Sequence, residues 1–320
     1  MAGQIWAVNT LGGYFYSLNL SDELREAVQP MSRFRQFCDA RVASGKRRGE
    51  TFTWDVVGNV QTNGGTLVET NTMPETNYLI YQATATITEL GNAVPYSNKL
   101  ETLSKFDVKR PVMQALRNDA SKTIDRQAWA QFNNAVLRYV GTTTATGNFY
   151  SNGTATGTNT SALNTTHLKL IVDYMKERNI PAYVGDDYMA IAWPSTYRSI
   201  KNSLETLHTY TETGLKLIFN AEIGRYENTR FVEQTNVVKG VGTDGLTGTA
   251  WTGGSDWAFF IGEDGVGEAL AVPEEVRAKI PDDYGRSKGV AWYALLGFGL
   301  IHTAANSQAE GRVLKWDSLA

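Results

Sequence analysis

Cysteine is nearly absent from this 320-residue chain, and its charges balance almost to zero. The single Cys38 excludes an intrachain disulfide framework and fits a reducing compartment. Three histidines, His167, His208 and His302, share no metal-ligand spacing, so no metal site is expected. A formal net charge of −3 excludes a global positive field that would pull the protein onto nucleic acid. Long apolar runs are missing too. The most apolar stretch, Gly289 to Ile301, is too short for a bilayer and is interrupted by Gly297 and Gly299. The first residues, Met1-Ala2-Gly3-Gln4-Ile5-Trp6, lack the basic and apolar character of a secretory leader, so cytoplasmic synthesis is expected.

Catalytic signatures are equally scarce. Gly240-Val241-Gly242-Thr243-Asp244-Gly245 spells a dinucleotide-type pattern, but Leu246-Thr247-Gly248-Thr249 follows it instead of a helix start, so it reads as a turn. The acidic pairs Asp186-Asp187, Glu263-Asp264, Glu274-Glu275 and Asp282-Asp283 read as solvated turns. Cys38 has Arg35 and Arg41 nearby but no nucleophile motif, and reads as a small buried hydrophobe. No catalytic residue, cofactor site or metal site is expected.

What is present is architecture. Val112, Leu116, Ala120, Ile124, Ala128, Phe132 and Val136 recur every fourth residue, predicting one helix from Asp107 to Tyr139. A four-residue step drifts ~40° per repeat, and the helix would run ~43 Å from Pro111. Early turns of such a winding stripe should meet one layer and late turns another. Before it, Phe52, Trp54 and Val56 alternate with polar residues as in a strand, and Asn63-Gly64-Gly65 signals a hairpin. Tyr81, Ala83, Ala85 and Ile87 form the returning strand. The tip between them, Thr66 to Asn77, has little to bury. Such a hairpin needs a partner surface.

Residues 1–48 do not read as a compact unit. A short helix starts at Ser21-Asp22-Glu23-Leu24, and Met31 to Val42 reads as a second amphipathic piece. Arg33, Arg35, Arg41, Lys46, Arg47 and Arg48 mark either a solvated linker or an arm lying on a neighbouring subunit or an enclosed polyanion. After a Thr/Gly/Asn/Ser tract at Gly141 to Asn164 the pattern becomes α/β. A helix capped by Thr166 precedes the strand Tyr188 to Trp193, and Pro194 opens another helix. Further strands follow at Thr229 to Gln234, Trp257 to Ile261, Ala291 to Thr303 and Gly311 to Trp316.

This order of segments resembles the major capsid proteins of tailed bacteriophages with the Johnson (Hong Kong 97) fold. Leu168 to Lys176, followed by Tyr188-Met189-Ala190-Ile191-Ala192-Trp193-Pro194, looks like that family's A-domain helix, strand and proline. Glu222 to Glu233, with its Arg230-Phe231-Val232-Glu233 strand, resembles a podophage-type branch. The resemblance implies an α+β chain: N-terminal arm (1–48), extended β-hairpin or E-loop (49–84), P-domain with a long spine helix (85–140), and α/β A-domain (141–284). Residues 285–320 would supply a returning P-domain strand and a C-terminal A-domain strand.

By the same resemblance, copies of the chain would form hexamers and pentamers of an icosahedral virion shell around double-stranded DNA, made in a bacterial cytoplasm. Partners would be a separate scaffolding protein, a portal protein, the packaged DNA through weak contacts and a decoration protein, with no membrane. Phe52, Trp54, Val56, Met73, Tyr78 and Tyr81 are the subunit-interface candidates. Arg33, Arg35, Arg41, Lys46, Arg47 and Arg48 are the candidates for inner-surface DNA contact. Trp54→Ala should then impair assembly more than folding. No lysine lies between Arg48 and Lys99, so no Lys–Asn crosslink is expected from Asn71 or Asn77. The rival readings are an encapsulin-like compartment for enzyme cargo and a monomeric α/β enzyme.

Overall fold

The computed structural model describes residues 29–42, 50–58, 65–70, 72–73, 75–104, 107–208, 225–240, 246, 256–303 and 310–318, with 204–208 followed by backbone only. The helix expected from Ser21, the Asn63-Gly64 turn, the Lys46-Arg47-Arg48 cluster and residues 241–245 lie outside the described residues.

The first half comprises β1 (Cys38–Val42), β2 (Thr51–Val57), β3 (Ile80–Thr86), β4 (Thr88–Ser97), α1 (Asn98–Leu103), α2 (Lys109–Asn133), β5 (Leu137–Gly141) and β6 (Gly147–Tyr150). Then come α3 (Thr165–Glu177), β7 (Tyr188–Ala192), α4 (Arg198–His208), β8 (Arg225–Tyr226) and β9 (Thr229–Glu233). The last strands are β10 (Ala258–Ile261), β11 (Val266–Ala278), β12 (Ser287–Leu300) and β13 (Val313–Trp316).

Two sheets and a hairpin organise the chain. One sheet has the order β1-β11-β12-β4, with β1 parallel to β11 and the other pairs antiparallel. The other is mixed, in the order β6-β5-β13-β10-β7-β9-β8. Strands β2 and β3 pair antiparallel from Thr51↔Thr86 to Val57↔Ile80.

Helix α2 joins the two sheets. Asp107 accepts the Lys109 N–H at 3.0 Å, satisfying one donor of the first turn, where Pro111 needs none. Val112, Leu116, Ala120, Ile124, Ala128 and Phe132 are buried along it, and so are Asp125 and Trp129, which the four-residue step does not include. The stripe winds between layers. At mid-helix Asp119 accepts hydrogen bonds from Trp292 on β12 and Asn92 on β4, both at 2.9 Å. At its end Trp129 meets Trp257 and Phe132 meets Phe259, each pair 6.1 Å between ring centroids. Those partners lie at β10.

The helix ends at Asn133, six residues before the expected Tyr139, giving a length of ~37 Å. Leu137 to Tyr139 are taken by β13 as a parallel partner instead. Arg138 seals the break, donating to the carbonyls of Asn133 and Ala135 at 3.0 and 3.3 Å and pairing with Asp317. Tertiary pairing thus overrides a pattern that still looks helical.

Other boundaries moved for similar reasons. Met31 to Val42 is not a helix but a 3-10 turn at Arg35–Phe37 followed by β1. Asn164, not Thr166, caps α3, accepting the His167 N–H at 3.0 Å. Helix α4 begins at Arg198, after turns that follow Pro194. Strand β11 falls inside the range expected for the A-domain, yet it pairs with β12 in the four-stranded sheet. Its register shifts between Leu270 and Val272 and again before Glu275, the irregular stretch that holds Pro273.

Candidate assembly surfaces

The hairpin of β2 and β3 is seated at its base by three glycines. Along β12, Trp292, Ala294, Leu296 and Phe298 face the core that α2 covers, so Gly297 and Gly299 face the other way. A Cβ on Gly297 would collide with the Thr86 carbonyl, and one on Gly299 would lie 2.8 Å from the Thr84 carbonyl. On β11 a Cβ at Gly267 would strike the Trp54 indole. Backbone therefore rests almost directly on sheet. Phe52 and Trp54 lean edge-on at 4.8 Å and pack with Ile87 around Ala85 and Ala269 of their own chain. Phe52 and Trp54, expected at a subunit interface, pack within their own chain, because the glycines let the two layers approach.

Beyond that seat the hairpin loses its support. Val56 and Tyr81 are half-buried, while Val57, Leu67, Val68, Met73, Tyr78, Leu79 and Ile80 are exposed, Met73 to 66%. These are the large apolar side chains that the described part of the hairpin leaves in solvent.

The arm is anchored by one aromatic ring and one carboxylate. Phe34 is fully buried against Phe132, Trp257 and Phe259, with centroids 5.6 to 6.0 Å away. Asp125, buried mid-helix, accepts the N–H of Phe34 at 2.7 Å and of Arg35 at 3.2 Å, and the Asn236 amide at 3.0 Å. Burial pushes the Asp125 carboxyl up, and those hydrogen bonds oppose the shift.

The candidate DNA-contact arginines separate in consequence. Arg35 forks to Glu268 at 2.9 Å and Glu274 at 2.8 Å, so its charge is committed inside the subunit. The Arg35 hydrogen bond holds the Glu274 carboxyl below its usual range. Arg41 pairs with Asp39 at 2.8 Å, and Arg33 is exposed. Cys38 is half-buried, and burial, with Glu268 and Asp125 nearby, pushes its thiol well up.

Two acidic pairs depart from the solvated turns expected: Asp186 is exposed in a turn, but its neighbour is not. Asp187 is buried, bound by Arg225 at 2.6 Å and Arg230 at 2.7 Å. Burial works to raise its pKa, and the two arginines outweigh it and hold the carboxyl below the usual range. Glu274 and Glu275 lie within β11. The turn at Asp282-Asp283 is open as expected, but its neighbour was not foreseen. Asp283 and Tyr284 are both left-handed, at φ 52° and 54°, and Tyr284 is fully exposed beside Ile280.

One buried array has the connectivity of a nucleophile and its base. Ser161 Oγ lies 3.1 Å from His167 Nε2, and His167 Nδ1 lies 2.8 Å from the Tyr139 hydroxyl. All three are buried, with burial lowering the His167 pKa and pushing Tyr139 up to about 12. Trp316 packs tilted against Tyr139 and His167, and the array ties α3 to β5 as a packing device. Among the described residues no His/Cys/Asp/Glu group could hold a metal ion, and no helix is long and apolar enough to cross a membrane.

Comparison with known proteins follows the fold. A family model described as phage capsid protein matches residues 80–306. The chain is similar in structure to the capsid of cyanophage P-SCSP1u, with a TM-score of 0.70 at 14% identity, covering 99% of this chain and 97% of that one. The capsid of Helicobacter pylori bacteriophage KHP30 gives 0.69 at 14% identity, covering 95% and 96%. The capsid of Ralstonia phage GP4 gives 0.62 at 15% identity, covering 100% and 99%. At such identities the likeness is one of fold. No curated protein matches the chain.

Proposed function

Because this chain belongs to the phage capsid protein family, we propose that its copies join as hexamers and pentamers of an icosahedral shell around double-stranded DNA. The chain is a major capsid protein with the Hong Kong 97-like fold, a structural component of the virion and not an enzyme. Our reading extends to finer points: a podophage-type branch, subunits made in the host bacterial cytoplasm, and a separate scaffolding protein that guides closure. It also includes a portal protein in the shell, weak contact with the packaged DNA, and an outer surface open to a decoration protein.

The observation that supports assembly most directly is the hairpin. Its base is locked to its own subunit, while Leu67, Val68, Met73, Tyr78, Leu79 and Ile80 project without cover. Leaving such side chains in water forgoes ~1.5–3 kcal/mol for each one that could be fully buried. A neighbouring copy can recover that free energy, repeatedly, around a closed ring.

Electron microscopy of the full chain, alone and with its scaffolding protein, tests the reading. Closed particles are expected. A triple Leu67→Ser, Met73→Ser, Leu79→Ser variant should keep the subunit's circular dichroism and thermal transition yet fail to close. A persistent compact monomer of the unaltered chain, even with scaffolding protein present, overturns the shell.

A further inference from the structure

A groove of about 770 Å³ runs between the 3-10 turn of the arm, α2 and the irregular stretch of β11. Ala120, Ile124 and Trp292 make its floor, and all three are buried. Arg117 and Ser121 stand on the α2 wall, and Glu274 and Val276 on the β11 wall. Val276 pairs across the strands with the buried Trp292, yet is itself 56% exposed. A large apolar side chain is thus left uncovered at the rim.

Most of the charge around the groove already has a partner. Asp125 is held by the arm backbone and Asn236, and Glu268 and Glu274 by Arg35. Arg117 is exposed and pairs with no carboxylate among the described residues. An occupant must therefore bring an apolar edge for the floor and an anion for Arg117.

The arm carries both in the residues that lead to the groove. Ser32 lines it, so Val28, four residues earlier, lies at most ~14 Å of extended chain away. Residues 18–28 lie outside the described residues, and their sequence gives the pattern. Ser21 is an N-cap, Asp22 and Glu23 open the first turn, and Pro30 stops the helix. At ~100° per residue, Leu24, Ala27 and Val28 share one edge. Glu23 then stands ~100° to one side of Leu24, and Arg25 ~100° to the other. With the apolar edge down, Glu23 reaches the α2 wall and Arg25 the β11 wall, where Glu274 is partly exposed.

We propose that residues 22–28 dock as a helix in this groove of their own subunit, Leu24 and Val28 on Ile124 and Val276, and Glu23 on Arg117. So short a helix is marginal alone and takes its stability from the packing. The tether of a few residues sets an effective concentration on the order of millimolar, so a small apolar contact suffices to close it. The inference goes beyond the shell reading and holds for a single subunit whether or not closed particles form.

Two measurements on unassembled full-length subunits in a Cys38→Ala background test it. Glu23→Cys and Ser121→Cys should form a disulfide on oxidation with diamide. In a mixture of ¹⁵N-labelled and unlabelled subunits, the linked peptides should be all heavy or all light. Separately, Ser121→Cys should react slowly with a polyethylene-glycol maleimide, and about tenfold or more faster once Leu24→Asp removes one buried leucine from the contact. Glu23→Lys should speed labelling as well, and Arg117→Glu should restore the protection. Linked peptides of mixed mass overturn the inference in favour of another copy's arm as occupant. Absence of the disulfide, or labelling as fast in the parent as in Leu24→Asp, overturns docking altogether. The disulfide needs no substitution at the apolar edge, so it decides the matter if Leu24→Asp fails to fold.

Discussion

Gly267→Ala is the sharpest probe of how the hairpin is fixed. Three atoms of the Trp54 ring lie within 3.0 Å of where the new methyl carbon would sit. Carbon atoms are in comfortable contact only at ~3.5–4.0 Å. Gly267 is not in a left-handed conformation, so alanine brings no backbone strain there and the whole cost is steric. The indole is half-buried and can retreat only by giving up its contact with Phe52 and the Ala85–Ala269 patch. Over-packing of this kind costs ~1–3 kcal/mol. Urea unfolding of unassembled subunits should register that loss. Trp54→Phe should restore part of it by vacating the space, with a coupling of at least ~0.5 kcal/mol in the double-mutant cycle. Stability unchanged by Gly267→Ala, or strictly additive single effects, would refute the seat. The same contact implies that Trp54→Ala weakens the isolated subunit as well as the shell, against the expectation from sequence.

Phe34→Ala should cost ~3–5 kcal/mol because the ring is fully buried among three aromatic partners, and tryptic cleavage after Arg33 and Arg35 should accelerate; resistance equal to the parent chain counts against the anchor. Asp125→Ala leaves the N–H groups of Phe34 and Arg35 and the Asn236 amide without their acceptor, at ~1–3 kcal/mol for each buried donor left unpaired; an unchanged denaturation midpoint would rule this out. His302 should make the subunit acid-sensitive. Burial, aided by Arg312, lowers its pKa to about 4, so the folded state binds fewer protons than the unfolded chain between that value and ~6.5. Stability therefore falls as pH drops through this window, by ~3 kcal/mol in all, and His302→Asn should flatten the profile.

Periodicity made the hairpin and the long helix legible, because Phe52, Trp54 and Val56 alternate and the α2 stripe repeats within one continuous element. The end of α2 was not legible, since Leu137 and Tyr139 continue an apolar pattern whose partner, Leu314 to Trp316, lies some 180 residues away. The arm misled for a related reason. Phe34 and Phe37 are spaced as on a helix, but the Asp125 carboxylate and the β11 edge decide their conformation. Strand β11 was hidden by Pro273 and its acidic pair, which a bulge accommodates. Among the candidate site residues, Met73 and Tyr78 are exposed on the hairpin, whereas Arg35 found carboxylates 233 and 239 residues away that spacing does not reveal, and Arg41 one only two residues away on its own strand.

The fork of Arg35 has a consequence for curvature. Glu268 and Glu274 are six residues apart on one strand, which in a straight strand separates their backbones by ~20 Å. A single guanidinium reaches both only because β11 is crumpled between Leu270 and Glu275. The ion triad is therefore a gauge of how sharply the strand is bent, and flattening the sheet would force one carboxylate to let go. In a closed container, positions where the wall turns tightly and positions where it runs flatter ask different bends of identical chains. Those copies should differ first at this fork, and with it in how firmly the arm is held.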